Sequence, residues 1–272
     1  MKRILSYVAL FLFTSVALTS CSTDDNSDNN KEVKEVLEGK NDVTFTFNHK
    51  MFGEELKYNE LNKANGNNEQ LNVAFLKYII SNFQLTNDKG GIYTYPKDKG
   101  YFFVDSETND FKVTLKDVPA GYYTKVKFGV GVDQEKYLRG EGDQQEFWDL
   151  CKKHDLTWGW LTGYKFINYQ GTFINGTEEE EAGFQLHIGS HGSKLDNYKE
   201  VVLNSKEEIK VSNKYAPTVD LNVETSLLLD STNKIVLKER PSIMVDKERA
   251  PKIMDNATTM YSIGKVIIQK SL

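Results

Sequence analysis

The chain has 272 residues, of which 39% are hydrophobic and 12% aromatic, enough to pack a core, while 27% are charged and solvate its surface. A net charge of −5 and a pI near 5.5 exclude the basic face that nucleic-acid binding asks for. The two cysteines are Cys21 and Cys151; with the first assigned to a lipid as argued next, no intramolecular disulfide can form and the core holds the fold unaided.

The opening residues, MKRILSYVALFLFTSVALTSC, carry a basic start at Lys2 and Arg3, an apolar run from Ile4 to Leu18, and small residues before Cys21. That is a secretory signal, too short and wrongly flanked for a spanning helix. Leu18-Thr19-Ser20-Cys21 resembles a bacterial lipobox, in which Cys21 takes the lipid and becomes the mature N-terminus. The stretch that follows, STDDNSDNNKEVKEVLEGKND, is nearly empty of large apolar groups and cannot bury enough surface to offset the entropy of ordering. Residues 1–20 therefore read as a lipoprotein signal peptide, 21–41 as a flexible tether, and 42–272 as a single domain. Ser22 to Asp25 resembles the acidic export signal of Bacteroidetes surface lipoproteins, which implies an outer-membrane protein held by its N-terminal lipid and displayed at the cell surface.

In the body of the chain, Val43, Phe45 and Phe47 alternate with Thr44, Thr46 and Asn48, the pattern of a strand with one buried face. His49 continues the apolar column, either as a hydrogen-bonded structural residue or as a metal ligand. Leu71 to Leu85 is a long apolar stretch without Gly or Pro that suits helix or strand. Asn87 to Gly91 is a turn, and Tyr101 to Val104 and Phe111 to Leu115 read as short strands. After a turn at Asp117 to Gly121, Val126, Phe128, Val130 and Val132 alternate with Lys125, Lys127, Gly129 and Gly131, and the glycine face lets another group approach the backbone. Asp133, Glu135, Glu141 and Asp143 make the next loop a candidate calcium site, although their spacing is not an EF-hand and a solvated acidic loop is the plainer reading.

Gln145 to His154 is a short helix with Phe147, Leu150, Cys151 and His154 on one side. Cys151 and His154, at i and i+3, are near enough to share a metal; a buried thiol beside a capping histidine is the plainer account. Within Asp155 to Gly171, a strand would project Trp158 and Trp160 from one face, and aromatic residues on a core strand need no functional explanation. Thr172 to Ala182 is a loop that its glutamates hold open. Phe184, Leu186 and Ile188 then point one way and His187 the other, which suits a site at a sheet face or rim, and His191 joins it if the chain turns back. Strands resume from Val201, including Val219 to Val223 and Leu227 to Leu229, with a break at Tyr215 to Pro217. Glu239 to Asn256 reads as a long surface connection and Tyr261 to Ile268 as the closing strand. Many short alternating runs between glycine-punctuated turns predict an all-β fold, a β-sandwich with long loops and at most one or two short helices.

The run TWGWLTGYKFINYQG, over Thr157 to Gly171, resembles the W-x-W-x-x-GY-x-F-x-x-x-x-G signature of the MbnP-like copper-binding family. FTFNHKMFGEEL, VPAGYYTKVKFGVGVD, FQLHIGS and IMDNATTMYSI fall in that family's order, so the resemblance covers most of the mature chain. It departs at Tyr169-Gln170, where an acidic residue often precedes the glycine. The resemblance implies a sandwich with a core strand over Leu71 to Leu85, and a copper site on His49 and His187 with Trp158, Trp160 and His191 as further members. It also implies that a di-haem peroxidase-like partner can oxidise a tryptophan to kynurenine, whose aniline nitrogen becomes a ligand; the sequence does not choose between Trp158 and Trp160. The function it implies is that of an extracytoplasmic lipoprotein that captures or handles copper at the cell envelope. The alternative is a surface-displayed binding module for a glycan, peptide or protein that keeps the fold without the metal. No acid, base and nucleophile set stands at readable spacing, so the chain reads as a binding protein and not an enzyme.

Overall fold

Alternation of apolar and polar residues builds two sheets in the computed structural model, which describes residues 34–176 and 180–270. The first half of the chain forms β1 (Lys40–Met51), β2 (Glu54–Glu55), β3 (Leu61–Ala64), β4 (Glu69–Asn87), β5 (Ile92–Thr94), β6 (Tyr101–Asp105), β7 (Lys112–Pro119) and β8 (Gly121–Val130). Two helices follow, α1 (Gln134–Tyr137) and α2 (Gln145–Lys153). The second half forms β9 (Ile167–Asn175), β10 (Ala182–Ile188), β11 (Lys199–Val211), β12 (Tyr215–Glu224), β13 (Ser242–Ile243), α3 (Arg249–Ala257) and β14 (Tyr261–Lys270). The smaller sheet runs β14-β12-β1-β2, with β7 also on β1, and the larger runs β11-β8-β4-β9-β10-β13, with β3, β5 and β6 also on β4. The result is the all-β sandwich that the sequence predicts.

The inner faces meet through aromatic residues. Phe45 of β1 stacks on Phe83 of β4 at 5.0 Å, and Phe47 meets Tyr78 of β4 and Phe128 of β8 edge-on at 6.0 and 6.4 Å. Burying such rings stabilises the fold by about 1.5–3 kcal/mol each. Leu71 to Leu85 is indeed strand, and its register against β9 shifts between Val73 and Phe75 and against β8 between Ser81 and Gln84. Each bulge inserts a residue, so Leu71, Val73, Leu76, Tyr78, Ile80, Phe83 and Leu85 are all buried despite their uneven spacing.

The outer face of the larger sheet carries a second packed layer. Phe147 of α2 lies 5.1 Å from Tyr101 and 6.3 Å from Phe103, both on β6. Phe166 packs directly over the backbone of Gly131, where no Cβ has room, as the glycine face of β8 anticipates. Beneath this layer a polar row crosses four strands in register: Asp105 on β6, Lys77 on β4, Asn168 on β9 and His187 on β10. The neighbouring row, Val104, Tyr78, Ile167 and Ile188, points the other way, into the sandwich.

Several local expectations are corrected. On α2, Phe147, Trp148 and Cys151 are buried but Leu150 is exposed. Tyr215 to Pro217 lies inside β12, paired to β14, and the Leu227 to Leu229 run forms a short 3-10 turn, Thr225–Leu228, instead of a strand. The expected surface connection contains α3, which buries Ala250, Ile253, Met254 and Ala257 at helical spacing; Pro251 sits in its first turn, where a missing N–H costs nothing.

Candidate metal centre

Helix α2 ends where Asp155 takes a left-handed backbone, φ 53°, and Leu156 N–H donates back to the Cys151 carbonyl at 2.7 Å. The chain then makes a loop closed by a bridge between Thr157 and Tyr164, and regular strand begins only at Ile167. The expectation that both indoles share a strand face is therefore wrong. Trp158 is only 4% exposed, whereas Trp160 is 65% exposed at the loop tip.

Trp158 lies over Gly189, just beyond β10. A Cβ there would sit 2.6 Å from the indole and clash with the Tyr164 carbonyl, so the close fit needs glycine. After Gly189 the chain does turn back: Asn197 Nδ2 donates to the Gly189 carbonyl at 2.8 Å, and His191 bridges to Leu195. This turn lays the His191 ring against Trp158, with centroids 4.9 Å apart and planes at 39°. Neither ring nitrogen of His191 makes a hydrogen bond of normal geometry, and neither does the buried Trp158 Nε1. Burial lowers the His191 pKa; the Met244 backbone opposes this less strongly, so the ring is neutral near pH 7. A neutral imidazole with an uncommitted lone pair is the protonation state in which histidine binds metal.

The other histidines are committed. His49 points into the sandwich, with Nδ1 2.5 Å from Tyr58 Oη and Nε2 2.8 Å from Tyr78 Oη. Burial pushes its pKa down to about 3, and Phe111 packs edge-on against it at 5.2 Å. A cleft of about 740 Å³ opens beside it between β1 and the start of β7, lined among others by Tyr58, Phe111 and Lys112. His187 stands on the opposite, outer face of the larger sheet, where its Nε2 is 2.6 Å from Gln170 Nε2. Burial, helped by Lys165, lowers its pKa to about 4. A site built jointly on His49 and His187 is thus corrected by geometry, since the β-sheet runs between them. His154 stacks on Phe103 at 4.7 Å and pairs through Nδ1 with Asp105 at 2.9 Å, and burial pushes the Cys151 thiol pKa up.

The calcium candidate is occupied by its own neighbours. Asp133 caps α1 and accepts from Asn82, Lys97 and Tyr101, and Glu135 pairs with Lys97 and Arg139. Among the described residues, no three His, Cys, Asp or Glu side chains converge at metal-ligand spacing. Of the residues singled out in the sequence, the fold brings His191 and Trp158 into contact, with the His191 imidazole as the group there able to donate a lone pair. Sequence reasoning missed the hydrogen-bond partners that take the remaining histidines. Asn168 and Gln170 were visible as the polar side of β9, but nothing local marked Tyr58.

No curated protein matches the chain. Among solved structures, MbnP from Methylosinus trichosporium is similar at 15% identity, covering 71% of this chain and 79% of that one, with a TM-score of 0.48. The MbnP family model matches residues 40–245, and the chain belongs to the MbnP family.

Proposed function

We propose that this protein captures or handles copper at the cell envelope, as an extracytoplasmic lipoprotein with His191 as the primary donor and Trp158 beside it. The observation that carries the reading is the His191 ring: neutral, with neither nitrogen in a hydrogen bond of normal geometry, and laid against the buried member of the tryptophan pair. Imidazole suits copper, which stands highest among divalent first-row ions in intrinsic affinity. Oxidation of Trp158, in preference to Trp160, by a di-haem peroxidase-like partner would add an aniline nitrogen at the same place. The lipid on Cys21, which lies outside the described residues, would hold the protein in the outer membrane. The protein acts by binding and not as an enzyme.

Copper titration against a competing chelator tests this. His191→Ala is expected to weaken binding by more than about 100-fold, beyond the 10–100-fold typical of residues that only orient a ligand. Trp158→Phe should weaken it in protein from its own host, and His49→Gln should leave it unchanged. Wild-type affinity and stoichiometry in His191→Ala would overturn the assignment. A surface binding module without metal is the second reading, favoured by the exposure of Trp160. Absence of copper uptake, together with glycan or peptide binding that Trp160→Ala abolishes, would decide for it.

A further inference from the structure

The outer-face histidine, His187, is wired to a chain of amides whose polarity is set at its far end. Asn168 is fully buried, and its Nδ2 lies 3.1 Å from both the backbone carbonyl and the Oδ2 carboxylate oxygen of Asp155. The carbonyl can only accept, and the carboxylate, paired through Oδ1 with the buried Lys165 at 2.9 Å, accepts as well. Asn168 must therefore turn its NH2 group towards Asp155 and its Oδ1 away. That oxygen is 2.9 Å from Gln170 Nε2, so Gln170 must also present its NH2 group. One amide hydrogen goes to Asn168, and the other points at His187 Nε2, 2.6 Å away.

We infer that Gln170 is a positioning residue that fixes His187 as the Nδ1–H tautomer, its Nε2 lone pair already used, and so keeps His187 out of metal coordination. The opposite tautomer would bring an N–H against the Gln170 NH2 group. Rotating the Gln170 amide to relieve this sets its oxygen against Asn168 Oδ1, and rotating Asn168 in turn sets an oxygen against the acceptors of Asp155. Each escape leaves buried groups mismatched, so the preference for one tautomer exceeds about tenfold. The imidazolium is disfavoured by the same contact, because both its nitrogens must donate. The consequence for copper rests on the proposed function: His191, with no such partner, is left as the available imidazole of the loop.

Two-bond ¹H–¹⁵N correlation spectra of the metal-free protein read the tautomer directly and do not depend on copper. In the wild type, His187 Nε2 should resonate in the acceptor range and Nδ1 in the protonated range. Gln170→Glu replaces a donor by an acceptor and should move the proton to Nε2 or charge the ring; Gln170→Met, which neither donates nor accepts there, should yield a mixture. A wild-type His187 protonated at Nε2, or an unchanged pattern in both variants, overturns the relay. In copper titration, His187→Gln should hold wild-type affinity within about tenfold, whereas a larger loss would show that His187 takes part in the copper site and end the inference. A wild-type protein that takes up no copper would instead refute the proposed function and leave the relay to the spectra.

Discussion

Replacing His49 with glutamine should weaken the fold at neutral pH and cease to do so in mild acid. The histidine joins two tyrosine hydroxyls inside the sandwich, at 2.5 Å and 2.8 Å, and glutamine cannot reproduce both contacts from one short amide. One hydroxyl loses its partner, at a cost of about 1–3 kcal/mol. An opposing proton-linked effect is present only in the wild type. His49 stays neutral in the folded chain because burial holds its pKa near 3, against 6.5 for an exposed histidine. As the pH falls below about 6.5 the unfolded chain takes up a proton that the folded chain refuses, so stability drops by about 1.4 kcal/mol per unit until the folded group titrates. At about pH 4.5 this amounts to about 3 kcal/mol, as large as the cost of the substitution. Urea titrations of both proteins at about pH 7.5 and about pH 4.5 measure the two effects together. The stability gap should be clear at the higher pH and close or invert at the lower. His187 titrates in both proteins and cancels. A gap that keeps its size at both pH values would refute the neutral, doubly bonded His49.

Cys151→Ser should lower stability by about 1–3 kcal/mol, because its hydroxyl enters a fully buried site next to α2 residues that pack against aromatic rings; thermal melts and metal content check it, and copper loss at unchanged stability would instead place a metal on Cys151 and His154. Gly189→Ala should cost about 1–3 kcal/mol through the clash with Trp158 and the Tyr164 carbonyl. It should also displace the indole and weaken copper binding, and a stable variant with native affinity would show that the fit over Gly189 does not matter.

Much of the sandwich was legible because a half-buried strand has a period of two. Val43, Phe45 and Phe47 on β1 and Val219, Leu221 and Val223 on β12 read directly as inner-face columns. β4 was ambiguous for a physical reason: its two bulges give inward residues spaced by two and three in turn, which mixes the strand period with the helical one. The tryptophan stretch failed because alternation was assumed across Gly159 and Gly163, and a loop closed by the Thr157–Tyr164 bridge separates what a strand would have kept on one face. At the site, the sequence supplied the right residue types but not their commitments. That His187 lies on the polar side of its strand was readable, as was the chance that His191 turns back. Whether each ring nitrogen is free depends on Tyr58, Tyr78, Gln170 and Asp105, which come from other strands or, for Tyr58, from the turn after β2, and meet the histidines only in the tertiary fold. α3 was missed because a segment carrying both Pro241 and Pro251 reads as a surface connection, although a proline in the first turn leaves a helix intact.

The most direct test of the copper assignment is metal analysis of the protein purified from its own host, with peptide mass analysis of the segment from Asp155 to Gly171. The account predicts copper near one per chain, with oxidation, where present, on Trp158 and not on Trp160. Protein free of copper after purification without chelators, and unable to take it up again, would contradict it.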